Sequence, residues 1–376
     1  MAKLLGDLRP AFVVGAGWHR YQRLSQTNHV ELGLTAVRGA LTDAGITWAD
    51  VDESFIGTGH LGMAAGRSVL KHLGAFGKPL VHVENASASG SAAFRLGCIT
   101  VAAGLSDVAL VLGVDKPRMP YRAPTGTDGL ADDAIMPFTH FSLLGSEYQT
   151  AYGVSDEDIA RIAVKSHRNG ALNPHAHRQR ARTLDEILGG NVVAGSLTSL
   201  QCCPVGEGAA AVLVASEAAI ARLGIDPAKA VRVASSATVT ETASSSDKQV
   251  SAEVIARALY EAQVPADSID VFELHDAFTI EEAEYVEASG ICRPGEYVPM
   301  LEAGAFDIGG QCAVNPSGGL IAMGHPIGPT GVGQVGEIAL QLRGAAGSRQ
   351  HADARIGLAH MVGLGAVGYA HVLVRP

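Results

Sequence analysis

Two neighbouring stretches near the end of the chain decide the fold: Asn315-Pro316-Ser317-Gly318-Gly319 and Gly324-His325-Pro326-Ile327-Gly328-Pro329-Thr330-Gly331. The span 315–331, which contains both stretches, has five glycines and three prolines in 17 residues. These interrupt any helix or strand, because glycine is conformationally free and proline lacks an amide donor. The segment is therefore predicted to be a tight loop, and the apolar run at 332–342 is predicted to follow it as a helix. A lone histidine on such a loop suits a buried reaction centre, although a structural turn with an incidental histidine fits the spacing nearly as well.

Length and composition narrow the class of protein. The 376 residues suffice for two core-forming units or one large duplicated domain, and a net charge of −10 argues against nucleic acid or an anionic membrane as the main partner. No apolar run reaches the roughly 18 residues that a membrane-spanning helix needs. Five cysteines without a CxxC pair, and a start without a signal-peptide pattern, favour the cytoplasm. The histidines at 167, 175 and 177 lack regular metal spacing, so no metal site is expected.

Short β-rich runs alternate with longer amphipathic ones, which is typical of an α/β fold. Strands are predicted at 11–15, 54–56, 107–114, 209–215, 231–237, 271–274, 356–359 and 369–374, and helices at 29–44, 89–103, 252–261, 280–288 and 332–342. The segment from about 116 to 200 breaks this rhythm and is interpreted as an inserted cap or loop domain. We therefore divide the chain into a first half at 1–240, which includes the cap, and a second half at 241–376.

A second motif, Asn85-Ala86-Ser87-Ala88-Ser89-Gly90, precedes a predicted helix. Its small residues permit a sharp turn, and the helix N-terminus directs amide groups and a positive dipole end toward position 87. Position 87 therefore faces the positive end of the predicted helix, and a plain helix N-cap is one interpretation of Ser87. Gly57-Thr58-Gly59-His60-Leu61-Gly62 formally matches a dinucleotide fingerprint, but without a convincing βαβ context it is interpreted as a turn.

Together with Glu273-Leu274-His275-Asp276-Ala277-Phe278 and Gly206-Glu207-Gly208-Ala209-Ala210-Ala211, these motifs closely resemble the thiolase superfamily, in particular its sterol-carrier-protein branch. The resemblance covers almost the whole chain. It implies a five-layered αβαβα fold of two similar βαβαβαββ halves, a homodimer, and acyl-CoA as a substrate rather than a permanently bound cofactor. Several bacterial members of this branch work with a small OB-fold partner that often carries a zinc ribbon, so such a partner is a further expectation.

The resemblance also implies roles for individual residues. Ser87 occupies the position of the nucleophilic cysteine, His325 that of the base, and His275 that of a donor to the thioester carbonyl. His360 becomes a candidate acid/base, although it lies one or two residues from the expected position. The amides of Ser87 and of Gly363 or Gly365 are expected to form a second anion site. Coenzyme A contacts are expected from Ser317 and Gly318. Arg168, in a part of the cap that is rich in basic residues, is a further candidate, although these residues could equally form an ordinary solvated face.

The chain departs from the family where chemistry matters most. Serine replaces cysteine at 87, so three interpretations stay open: a natural serine nucleophile, a serine introduced for cysteine, or loss of acyl-enzyme chemistry. Ala277 stands where many members have a cysteine, and no cysteine occurs near Gly363. The expected function is acyl transfer that makes or breaks a C–C bond beside the thioester. The alternatives are a retro-aldolase acting on a hydroxyacyl-CoA and a non-catalytic acyl-CoA-binding subunit.

Overall fold

The computed structural model describes residues 4–74, 77–118, 137–242, 246–363 and 367–375. The first half contains β1 (Ala11–Gln22), α1 (His29–Ala44), β2 (Glu53–Gly57), α2 (Ala65–Leu70), β3 (Leu80–Val83), α3 (Ser89–Ala102) and β4 (Val108–Asp115). The cap follows with α4 (Pro137–Tyr152), α5 (Asp156–Ala171), α6 (Leu184–Leu188), β5 (Val192–Ala194) and β6 (Leu197–Thr198). The first half then closes with β7 (Glu207–Ser216) and α7 (Glu217–Leu223).

The second half repeats this order with its own elements, and in the strand order it begins with β8, before the division predicted after residue 240. They are β8 (Val231–Thr240), α8 (Asp247–Ala262), β9 (Val271–Glu273), α9 (Thr279–Ser289), α10 (Tyr297–Glu302), β10 (Ala313–Val314), α11 (Gly319–Ala322), α12 (Ile327–Leu342), β11 (Ile356–Gly363) and β12 (Val367–Val374).

Ten strands are joined in the order β10-β9-β11-β12-β8-β1-β7-β4-β2-β3. The two halves meet at β1 and β8, which pair antiparallel at only two positions. Outward from that junction, β1-β7-β4-β2 and β8-β12-β11-β9 have the same sequence of two antiparallel pairings and one parallel pairing. The duplication suggested by the sequence pattern is therefore present in the strand order.

Helices α3 and α12 form the central layer. They pack on each other and on the strands, while α1 covers the outer face of the first half and α8 that of the second. Glycine makes the central contact possible: a Cβ at Gly331 would lie 2.3 Å from Ser91 Oγ, and one at Gly90 would lie 2.4 Å from the Gly328 carbonyl oxygen. Almost every residue of α12 is buried, as expected for a helix that is apolar all round. The predicted five-layered thiolase-type α/β fold is confirmed.

The predicted elements overlap observed ones, and α1 has the predicted bounds with Gly45 as a left-handed cap. Strand β1 extends seven residues beyond its predicted end, and α8 and α12 each begin five residues before the predicted start. Strand β3 was not predicted, because it has four residues and its burial does not alternate. The glycine-rich stretch contains the short helix α11 between its two loops. No helix in the described ranges is long and apolar enough to cross a bilayer.

Candidate active site

Ser87 lies at a sharp elbow between β3 and α3. Ala86 has a positive φ of 46°, which is uncommon for a residue with a side chain. Ser89 fixes the turn, since its Oγ donates to the Ala86 carbonyl oxygen at 2.6 Å and accepts from the Asn85 amide at 2.9 Å. The partly exposed Ser87 side chain is therefore presented at the N-terminus of α3, where helix amides favour a developing negative charge.

His325 contacts Ser87 directly. The distance from His325 Nε2 to Ser87 Oγ is 3.0 Å, and Nδ1 lies 2.9 Å from Thr330 Oγ1. Thr330 Oγ1 donates its own proton to the Pro326 carbonyl oxygen at 2.7 Å, so it accepts from His325 Nδ1–H. The arrangement assigns the proton of the neutral ring to Nδ1 and leaves Nε2 free to accept the hydroxyl proton of Ser87. This is the geometry of a nucleophile and its general base.

The environment keeps the His325 base neutral. Burial is the largest cause that lowers the pKa of His325 well below 6.5, and His275 and His60 lower it further. A neutral imidazole at pH 7 is the form that accepts a proton.

His275 stands perpendicular to His325, with the two ring centroids 5.3 Å apart. Its Nδ1 lies 2.8 Å from Glu281 Oε1, and Glu281 also accepts from the Phe278 amide at 2.9 Å and from the Tyr285 hydroxyl at 3.2 Å. Because Glu281 accepts from His275 Nδ1–H, the opposite nitrogen, Nε2, is the one available to a substrate. The position predicted for His275 beside His325 agrees with this geometry.

A buried ion pair supports the segment that carries His275. Lys165 Nζ lies 2.8 Å from Glu282 Oε1, with side-chain exposures of 2% and 0%. Asn315 donates to Glu282 Oε2 at 3.0 Å and accepts from the Leu274 amide at 2.9 Å. The network therefore connects the end of β9 with the start of the glycine-rich loop. Lys165, a residue of the predicted basic cap, is thus buried in an ion pair and does not face solvent.

Gly363 ends β11 against the Ser87 elbow. A Cβ at this position would lie 2.3 Å from the Asn85 carbonyl oxygen, so only glycine permits this approach. Gly365, the other candidate for the second anion site, lies outside the described residues.

His360 lies beside the group that holds His275, because Tyr285, which donates to Glu281, also packs against the His360 ring. It is fully buried in β11, and the ring of Tyr285 meets it at a centroid distance of 5.1 Å. Burial lowers the pKa of His360 to about 3. Its neighbour Met361 belongs to the cluster with Ala88, one residue after Ser87. Because successive side chains of a strand point to opposite faces, His360 and Met361 face opposite sides of β11, and the acid/base role expected of His360 stays a prediction.

Ser317 and Gly318 are placed in the interior. Ser317 donates from its amide and its Oγ to the two oxygens of Glu273, at 2.8 and 2.7 Å. Burial and the charge of Glu337 raise the pKa of Glu273 to about 8. Gly318 has a φ of 108° and a Cβ there would lie 2.8 Å from Gly170. Both residues build the loop, and the expectation that they bind coenzyme A stays a prediction.

Arg168 is half-exposed on α5 and paired with Asp307. Among the described residues, no contact connects Arg168 with the elbow, so its coenzyme A role stays a prediction. Groups of three or more metal-ligating side chains are absent from the described part of the chain.

His60 and Asp115 were missed by sequence reasoning, which interpreted 57–62 as a turn only. The buried Asp115 carboxylate accepts from Thr58 Oγ1, the Gly59 amide and the His60 amide, each at 2.8 Å, and from the Gly328 amide at 2.6 Å. It thereby ties the turn after β2 to the start of α12, next to His325. A buried aspartate at the end of the apolar run 108–114 was the available signal.

Comparison with known proteins supports the relationship indicated by the motifs. Family models for the thiolase N-terminal domain and for the thiolase C-terminal domain-like unit match residues 11–218 and 230–374. Sterol carrier protein 2 of Gallus gallus is 34% identical over 385 residues, which span 95% of this chain and 70% of that protein. The benzoylsuccinyl-CoA thiolase subunit BbsB of Thauera aromatica is 32% identical over 95% of both chains.

Solved structures share the fold at lower identity. The Ltp2-ChsH2(DUF35) aldolase superposes with a TM-score of 0.84 at 21% identity, over 99% of both chains. Human mitochondrial 3-ketoacyl-CoA thiolase in complex with CoA gives a TM-score of 0.75 at 20% identity, again over 99% of both chains.

Proposed function

The chain belongs to the thiolase family, and from this premise we propose that it makes or breaks a C–C bond beside the thioester carbonyl of an acyl-CoA. The observation that carries the proposal is the hydrogen-bonded series Ser87–His325–Thr330, which supplies a nucleophile, a neutral base and the group that fixes the tautomer of that base. A family whose members act on CoA thioesters makes acyl-CoA the expected substrate, with no resident cofactor.

In the proposed reaction, Ser87 Oγ attacks the acyl carbon while its proton passes to His325 Nε2. The protonated His325 can then donate to the oxyanion through Nε2–H. His275 is the second proposed contact of the thioester, with its Nδ1 held by Glu281 and its Nε2 on the opposite side of the ring. Gly363 lies against the elbow, so its amide and that of Ser87 are the proposed donors of the second anion site.

A retro-aldolase is the second candidate, and specific residues favour it. Ala277 stands where many family members have a cysteine, no cysteine occurs near Gly363, and a hydroxyl is a weaker nucleophile than a thiol. One structural neighbour is the Ltp2-ChsH2(DUF35) aldolase, whose name joins two proteins. By analogy we propose that this chain also pairs with a small partner subunit. A non-catalytic binding subunit is disfavoured, because mere binding needs no neutral base against a hydroxyl.

Intact-protein mass spectrometry with acetyl-CoA and a longer acyl-CoA tests the covalent route. We expect a slow acyl adduct on the unaltered chain, mapped to residue 87, and a faster one on Ser87→Cys because a thiolate forms more readily. Ser87→Ala is the control for acylation of the five native cysteines.

An adduct only on Ser87→Cys would show that the site retains thiolase geometry but that Ser87 is not competent. Absence of an adduct from both chains would contradict covalent catalysis. Release of an aldehyde or ketone from a 3-hydroxyacyl-CoA would then support the retro-aldolase.

The exposed edge of β3 supports the proposed homodimer. β3 ends the ten-stranded order, and Val81 on it is 42% exposed. An unpaired edge is a template for pairing with a second copy of the chain. We expect Val81→Lys to shift the chain from dimer to monomer in analytical ultracentrifugation, because two lysines would face each other. Val193→Lys, at an exposed valine of β5 in the cap, should leave the dimer intact; equal effects would contradict this interface.

A further inference from the structure

The internal repeat places a second histidine in the position that corresponds to His275. β2 and β9 are equivalent strands, because each is parallel to the strand (β4 or β11) that follows the central helix of its half. His60 lies three residues after β2, and His275 lies two residues after β9. Ser87 and His325 are related in the same way, since they precede the equivalent helices α3 and α12. The repeat therefore makes His60 the equivalent of His275, and Ser87 the equivalent of His325.

Each histidine of the His60/His275 pair has a buried carboxylate on its Nδ1 side. Glu281 Oε1 is hydrogen-bonded to His275 Nδ1 at 2.8 Å, whereas Asp115 Oδ1 lies 3.9 Å from His60 Nδ1, close enough for a charge–charge interaction but too far for a hydrogen bond. The side chain of Asp115 has no solvent exposure, and that of His60 is 11% exposed. The carboxylate of Asp115 would therefore attract a positive charge on the His60 ring.

The His60 turn packs directly on the segment after His325. A Cβ at Gly59 would lie 2.6 Å from Ile327 Cγ2, and Asp115 bonds to both the His60 and Gly328 amides. Ile327 is two residues from His325, so the turn and the base are held against each other.

We propose that His60 is a further catalytic residue, the acid/base that exchanges a proton with the α-carbon of the acyl-CoA. The inference rests on the proposed function. It assigns an acid/base to a site that has Ala277 in place of one cysteine and no cysteine near Gly363. In cleavage, the C–C bond breaks and its electron pair becomes the enolate of the departing acyl-CoA. His60 Nε2–H gives its proton to that α-carbon, forming the new C–H bond. In the condensation direction, neutral His60 removes the same proton, and Asp115 stabilises the resulting imidazolium.

The test is deuterium exchange at the α-carbon of acetyl-CoA and propionyl-CoA in D2O, followed by mass spectrometry of the thioester. We expect His60→Gln to slow exchange by about 10²–10⁴-fold, the usual contribution of a general acid or base. His72→Gln, at an exposed histidine of the same half, should change it less than about twofold, since exposed positions away from the site rarely matter.

Acyl-adduct formation by Ser87→Cys is measured in parallel, with and without His60→Gln. We expect the rate to change less than about threefold, because attack on the acyl carbon uses His325 and not His60. This readout also reports whether the His60 variant folds, and His60→Asn is the second variant if it does not. The inference would be overturned if the His60 variants exchanged deuterium as fast as the unaltered chain, or if they lost exchange and adduct formation to the same extent. It would also be overturned if the unaltered chain showed no exchange.

The two proposals fail separately. If the adduct forms and deuterium exchange does not depend on His60, covalent acyl transfer stands and His60 has no part in the reaction. Exchange that depends on His60, without an adduct on either serine or thiol, would remove the covalent step and support His60 in the aldolase alternative.

Discussion

His325→Gln is expected to slow acyl-adduct formation at residue 87 by about 10²–10⁴-fold, because it removes the base that takes the hydroxyl proton. Glutamine retains a polar group near Ser87 Oγ but cannot accept and release a proton at neutral pH. The measurement is the time course of adduct mass on the unaltered chain and on the variant. A change smaller than about threefold would show that the 3.0 Å contact between His325 Nε2 and Ser87 Oγ is not catalytic.

Thr330→Val tests whether the Thr330 hydroxyl fixes the tautomer of His325, while the histidine itself is retained. Valine has nearly the shape of threonine but cannot accept from His325 Nδ1–H, so the ring loses the bond that assigns its proton. An intermediate loss of adduct rate, about tenfold and smaller than that of His325→Gln, is expected for such a positioning contact. Equal rates for Thr330→Val and the unaltered chain would show that the hydroxyl does not orient the base.

The pH dependence of the same rate follows from the lowered pKa of His325. The imidazole acts as a base only when neutral, and the folded environment keeps it neutral well below pH 6.5. The adduct rate should therefore show no loss from His325 between pH 8 and about 6.5, and its decline should occur at lower pH than for an unperturbed histidine. Protonation is easier in the unfolded chain, so stability due to this group is full above 6.5 and decreases as the pH falls toward the folded pKa.

Lys165→Met is expected to lower the free energy of unfolding by about 3–5 kcal/mol, the usual cost of leaving one partner of a buried ion pair uncompensated. Glu282 would keep the bonds from Asn315 and Tyr297 but lose its only cation within the described residues. Because Asn315 also accepts from the Leu274 amide, beside His275, the change should lower activity as well. Urea unfolding measures the stability.

Two variants control for the Lys165 result. Lys165→Met/Glu282→Gln removes both charges and should recover part of the loss, since no unpaired ion remains. Arg168→Met breaks the more exposed pair with Asp307 and should cost at most about 1 kcal/mol. If Lys165→Met and Arg168→Met proved equally mild, the buried pair would not support the site as described.

Much of the fold could be predicted from local patterns. The 3.6-residue spacing and Gly45 defined α1 with its observed bounds, because helix periodicity and capping depend on neighbouring residues alone. The same holds for Ser87 and His325, which the sequence placed at helix N-termini through their small and glycine-rich flanks. The four-residue β3 is too short and too exposed for such a pattern to be detected.

The sequence by itself thus determined the layered α/β fold and two members of the candidate site, because turns, caps and periodicity are encoded within a few residues. Tertiary structure alone decided which distant groups meet. β11 is buried on both faces, so no polar alternation could show that Met361 rather than His360 belongs to the cluster beside the elbow. Asp115 joins the turn of His60 to α12 across more than 200 residues, and Lys165 reaches Glu282 from the cap. Such pairings follow from strand order and packing, which no local pattern records.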